Sequence, residues 1–134
     1  MNKCIVFYET WQMECCGTDF LIGDTIKWLV YKCNHLNTPV DVGKVEYCYE
    51  AHDSNWEKIF VLEGKVEKIQ ILYEKYEPSK ENPKLLKPVN GMLIKSEVAR
   101  GFDKSFDGME ASGYVVEVSN YTIRPAKKEE VTFR

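Results

Sequence analysis

A chain of 134 residues with 44% hydrophobic and 29% charged residues has the length and apolar content of one folded domain, and it is too apolar for a disordered tail. Its formal net charge of −3 argues against a dedicated nucleic-acid binder, which carries a basic balance. No stretch reaches the ~20 consecutive apolar residues of a membrane-spanning helix, and the 13% of aromatic residues leans the composition toward strands.

The first element is the apolar and aromatic run from Cys4 to Tyr8, read as a strand. It is too short for a signal-peptide core and has no small-residue cleavage site after it, so a cytoplasmic location is expected. In that compartment Cys4, Cys15, Cys16, Cys33 and Cys48 stay reduced. Their odd number also fits no closed disulfide framework. Gly23-Asp24 is a tight-turn signal. Behind it Ile26, Trp28 and Val30 alternate with polar neighbours, the period of a half-buried strand. Val45 to Tyr49 and Ile59 to Leu62 read as further short strands. Ser54-Asn55-Trp56-Glu57 has the spacing of a capping box and is expected to start a single helical turn.

Gly64 opens a strand from Lys65 to Tyr76 in which Val66 has one parity and Ile69, Ile71 and Tyr73 the other. One extra residue in the ladder produces such a shift, so a bulge is expected near Glu67-Lys68. Pro78 to Pro88 is lysine-rich, contains Pro83 and reads as an exposed loop. Met92, Ile94 and Val98 suggest another strand, and Tyr114, Val116 and Val118 the next, with a turn or bulge at Ser119-Asn120. Between them Phe102, Phe106 and Met109 have helical spacing, which allows one short helix. Many short strands without helical crossovers predict an all-β or β-rich α+β fold. The expected form is a small antiparallel barrel, SH3-like or OB-like, with at most one short helix. It spans residues 1–126, and 127–134 form a polar tail.

The segment Tyr8-Glu9-Thr10-Trp11-Gln12-Met13-Glu14-Cys15-Cys16-Gly17, then Phe20, Gly23-Asp24 and Trp28, is the most distinctive in the chain. It resembles a family of small bacterial proteins of unknown function. Weaker landmarks at His52, Gly64-Lys65-Val66, Tyr76-Glu77-Pro78 and Gly113 to Glu117 extend the resemblance along most of the chain. The resemblance implies a shared fold unit and brings no activity with it.

Three chemistries suit the segment. In a strand, Cys15 and Cys16 point to opposite faces, and one of them packs as a small hydrophobe. Alternatively Cys15 or Cys16 joins His52, and one of Cys33, His35 or Cys48, as zinc ligands, although the spacing matches no standard zinc motif. Zinc is the cofactor these residue types allow. The third reading is a reactive thiol with His52 as its base. No phosphate-binding loop, dinucleotide fingerprint, nucleophile elbow or His-Glu-x-x-His motif is present in the sequence, which leans away from an enzyme.

The leading expectation is therefore a β-barrel module that binds a protein or small ligand through Trp11, Gln12, Glu14, Trp28 and His52. A zinc- or thiol-dependent enzyme using Cys15, Cys16 and His52 is the alternative. A single-strand nucleic-acid binder using the lysines from Lys65 to Lys95, with Tyr73 and Tyr76 as stacking platforms, is the third.

Overall fold

The computed structural model describes residues 2–15, 17–33, 36, 38–50 and 55–132. Its elements are β1 (Lys3–Glu9), α1 (Thr10–Cys15), β2 (Phe20–Leu21), β3 (Thr25–Lys32), β4 (Tyr47–Tyr49), a 3-10 turn (Trp56–Lys58), β5 (Phe60–Pro78), β6 (Leu86–Ser96), β7 (Val98–Ala99), β8 (Glu110–Pro125) and α2 (Lys128–Thr132). The fold is mostly β. None of the described helices is long and apolar enough to cross a membrane.

The main sheet runs β3-β4-β1-β8-β5-β6, and a further pairing of β3 with β5 closes five of these strands into a ring. All pairs are antiparallel except β1 with β4, which is parallel. The long β5 makes closure feasible. Its first part pairs with β3 through Phe60 to Lys65, and its later part, from Ile69, pairs with β6. β8 follows it along most of both. Register shifts between β5 and β8 at Glu63/Lys65, Val66/Lys68 and Leu72/Tyr73 put extra residues in one strand or the other and bend the pair, as bulges do. The second of these is the bulge expected from the parity change. The first leaves Asn120 and Tyr121 as extra residues, with Asn120 at φ 49°, where Ser119-Asn120 reads as a turn or bulge.

Side-chain alternation along the ring separates two main cores, beside a small third one at Ile59, Val61, Ala126 and Val131. Cys4, Val6 and Tyr8 of β1 face the inside of the ring with Ile26, Trp28, Val30, Val66, Ile69, Ile71, Tyr73, Tyr114, Val116 and Val118. Tyr8 stacks on Tyr49 with centroids 3.8 Å apart, and Trp28 meets Tyr8 edge-on at 5.4 Å. Phe7, with Leu72, Val115, Cys48 and Val42, belongs to a second cluster on the outer face, against which Leu36, Val40 and Val45 pack from the chain between β3 and β4. The clefts described below lie on this outer side.

Local chemistry explains where the structure departs from the expected elements. Thr10–Cys15 is a helix, so Cys15 and its neighbours do not alternate as in a strand. Trp11, Glu14 and Cys15 are exposed while Gln12 and Met13 are buried, an i, i+3, i+4 pattern of period 3.6. Gly17 closes the helix by donating its N–H to Gln12 O at 2.9 Å. It does so in contact with the ring interior, for a Cβ there would stand 2.1 Å from Tyr8 Oη and 2.8 Å from Met13 Cα.

The helix expected around Phe102 and Phe106 does not form. Asp107 and Gly108 both have positive φ, and Phe106 and Met109 exchange backbone hydrogen bonds across them. This is the Asp-Gly hairpin turn, whose preference overrides the helical spacing. Phe102 is 77% exposed. The two short helices, α1 and α2, exceed the one that was expected. Where a polar tail was expected, Lys128–Thr132 is helical, with Val131 buried against Ile59, Val61 and Ala126. The turn at Trp56–Lys58 exists, but Asn55 makes no side-chain capping bond, and Ser54 lies outside the described residues. Ile59 to Leu62 and the strand after Gly64 are one continuous β5. The Pro78–Pro88 loop is shorter than expected. β5 reaches Pro78, and Leu86, Lys87 and Pro88 belong to β6, an edge strand with a register shift beside Pro88, where proline is tolerated.

Candidate functional site

At the end of β1 the chain turns into α1, and three consecutive residues, Glu9, Thr10 and Trp11, come to the outer rim of the sheet. The Thr10 hydroxyl donates to Ala111 O at 3.1 Å and fixes the start of the helix to β8. Trp11 is 48% exposed, and its indole N–H donates to Glu9 Oε2 at 2.8 Å. The indole is thus held at the surface by a neighbour two residues away.

Beside it lies a cleft of about 340 Å³. Its walls are Phe7, Glu9, Thr10 and Trp11 from β1 and α1, Glu74 and Tyr76 from β5, Ala111 and Ser112 from β8, and Leu36 and Thr38 from the segment between β3 and β4. The third bulge builds its floor. β5 and β8 pair as Leu72 with Gly113 and Tyr73 with Ala111, which leaves Ser112 as the extra residue. Its hydroxyl lies 2.7 Å from Glu74 Oε1 and 3.3 Å from Leu72 O. Tyr76 donates to the same Oε1 at 3.2 Å. Partial burial, followed by the charge of Glu74 and this hydrogen bond, raises the Tyr76 hydroxyl above its ordinary range. Gly113 leaves room for Phe7, since a Cβ there would approach the phenyl ring to 2.4 Å.

Glu74 is the unusual member. It is 6% exposed, and its second oxygen, Oε2, is buried with no hydrogen-bond partner among the described residues. Buried carboxyl oxygens are nearly always paired, because an unpaired one loses its hydration without return.

A second cleft, of about 450 Å³, shares Phe7, Glu9 and Leu36 with the first and is completed by Tyr31, Lys32, Cys33 and Cys48. Burial, and then contact with the Cys33 thiol, pushes the Cys48 thiol up to about 12. Burial likewise pushes Cys4 up to about 12. Neither is a nucleophile at neutral pH, since the thiolate is the reactive form.

The structure divides the residues that the sequence groups together. Trp11 lines the first cleft. Gln12 is fully buried and donates to Tyr49 O at 3.0 Å, tying α1 to β4. Glu14 is exposed, and its Oε1 accepts the Phe102 N–H at 3.2 Å, so it anchors the 100–103 segment rather than lining a cleft with Trp11. Trp28 is 8% exposed, inside the ring. Cys15 is exposed at the end of α1, with its thiol 3.6 Å from Gln12 O. Cys16, His35 and His52 lie outside the described residues, and among those described no three His, Cys, Asp or Glu side chains come together to hold a metal. Of the two tyrosines expected to stack bases, Tyr73 is buried against Phe106 and Tyr76 lines the cleft. Glu74 and Ser112 were missed. Glu74 shares the parity of Leu72, and an acidic residue in phase with a buried leucine was the available signal.

A family model matches residues 2–120, and its description is a family of unknown function, DUF6578. The chain belongs to this family. The match begins before β1 and ends within β8, so β1, β3, β4, β5, most of β8 and the described lining of both clefts fall within the DUF6578 unit. No curated protein and no solved structure matches the chain.

Proposed function

We propose that this protein is a ligand-binding module, an SH3-like or OB-like strand barrel that takes a small ligand in the cleft between Trp11 and Glu74. The observation that carries the reading is the buried Oε2 of Glu74, without a partner among the described residues, beside an aromatic-walled cleft of about 340 Å³. Ligand sites are concave, largely apolar and supplied with a few placed polar groups, and this volume is within their usual range. An acceptor without a partner is a cost to the free protein that a bound donor removes. The reading takes the protein to be bacterial, from its distinctive segment, and cytoplasmic, the compartment in which its cysteines stay reduced.

Fragment screening by amide and indole chemical shifts tests it. Shifts should concentrate on Phe7, Trp11, Tyr76 and Ser112. A library in which every hit maps elsewhere, such as to the exposed Leu85 and Leu86 at the start of β6, would overturn it.

A further inference from the structure

We infer that the ligand of this cleft carries an organic cation, an alkylammonium or guanidinium group, and that Glu74 Oε2 is its acceptor. The inference rests on the ligand-binding reading above and names the chemistry of that site.

Charge balance is the first argument. Two carboxyl groups, Glu9 and Glu74, line the cleft, and no lysine or arginine does among the described residues. The neighbouring cleft differs. It shares Glu9 but carries Lys32, whose ammonium sits 5.3 Å from the centre of the Phe60 ring. The imbalance therefore belongs to the Glu74 side. Carboxylates gathered without a counter-charge disfavour one another, and a cation placed between them relieves that repulsion.

Hydrogen bonding is the second. Ser112 and Tyr76 both occupy Oε1 and leave Oε2 without a donor among the described residues. Ammonium and guanidinium groups are donors only, and a charge-assisted bond to a carboxylate is about twice as strong as a neutral one. The walls supply the third argument. Phe7, Trp11 and Tyr76 are aromatic. Aromatic faces attract cations, and tryptophan does so most strongly. An anion would meet two carboxyl groups and would leave Oε2 unpaired. A neutral donor could pair with Oε2 but would gain nothing from the charge.

A matched series of probes tests the inference: butylammonium, butylguanidinium, butanol and butyrate, titrated against the full chain and followed at the Trp11 indole N–H. A blocked lysine amide serves as the side-chain form of the same cation. Butylammonium or butylguanidinium should bind at least about tenfold more tightly than butanol, and butyrate should not bind. Glu74→Gln keeps the shape and Oε1's neighbours, and it should weaken the cations about tenfold or more and so erase their advantage over butanol. Tighter binding of the blocked lysine than of butylammonium would identify the source as a protein or peptide side chain, and the reverse would identify a free amine. Equal binding of butanol and the cations at the cleft would overturn the cation inference and leave the ligand-binding reading standing. Failure of every probe and every neutral fragment at the cleft would overturn both.

Discussion

β1 faces two environments, and the contrast between them separates what holds the fold from what the fold can bind. On its inner face Tyr8 is fully enclosed, stacked on Tyr49 and set edge-on against Trp28, and it lines neither of the two clefts. On its outer face Phe7 is also buried, yet both clefts reach it, and the adjoining polar group, Glu74, has an oxygen without a partner among the described residues. The inner face is closed by packing. The outer face is left incomplete in a way that packing cannot correct. Stability should therefore be concentrated inside, and sensitivity to added molecules outside.

The largest test compares the two aromatics. Tyr8→Ala should cost about 3–5 kcal/mol of unfolding free energy, the range for deleting an enclosed aromatic side chain. Phe7→Ala should cost clearly less, because its surroundings already open to solvent and can rearrange. Equal shifts of the urea midpoint at constant slope would erase the distinction between the faces.

A smaller effect of opposite sign is expected at Glu74. Glu74→Met removes the unpartnered oxygen at similar volume. Ser112 keeps Leu72 O, and the half-exposed Tyr76 can turn to water. The variant should be more stable by about 1 kcal/mol, as when a buried unsatisfied group is replaced by an apolar one, and it should no longer bind the butylammonium probe. A loss of stability would mean that Oε2 is already satisfied in the free protein.

The smallest effect lies outside both faces, at α2. The Arg124 guanidinium, and then the Lys127 backbone N–H, hold the Glu130 carboxyl down at about 2, against an ordinary 4.5. A carboxyl with a depressed folded pKa contributes stability that is complete above about 4.5 and lost as the pH falls toward about 2. The pair is at the surface, so only the docking of α2 should respond. The Val131 methyl signals should shift across that window, and Arg124→Ala should move the midpoint up toward 4.5. A Val131 shift independent of pH would detach α2 from the pair.

Much of the ring was legible in the sequence, because burial imposes period 2 wherever a strand has one face inside. Ile26, Trp28 and Val30 alternate as the structure has them, and the change of parity after Val66 marks a bulge that is present. α1 was not legible as a helix. Six residues are under two helical turns, too few to choose between period 2, which puts Trp11 and Met13 on one face, and period 3.6, which puts them on opposite faces as the structure has them. The Phe102–Met109 segment was misread for the opposite reason. Its helical spacing is real, but the Asp107-Gly108 turn decides the backbone. At the site, Trp11 stood out as a rare aromatic in a polar segment. Glu74 did not, because in sequence it belongs to a run of mixed lysines and glutamates. Its significance depends on Ser112, 38 residues away, which only the bulge between β5 and β8 brings to it.

The pairing of β1 with β8 also constrains how the chain can assemble. Lys3 is registered with Ser119, and β1's other partner, β4, contributes three residues. During synthesis β1 is made first and its principal neighbour more than a hundred residues later. Until β8 is complete the ring is an open sheet, with the apolar residues of β1 exposed along an unpaired edge. Closure is thus a late, long-range event, which makes folding slow for a chain of this size and gives the half-made protein a strand that other chains could pair with.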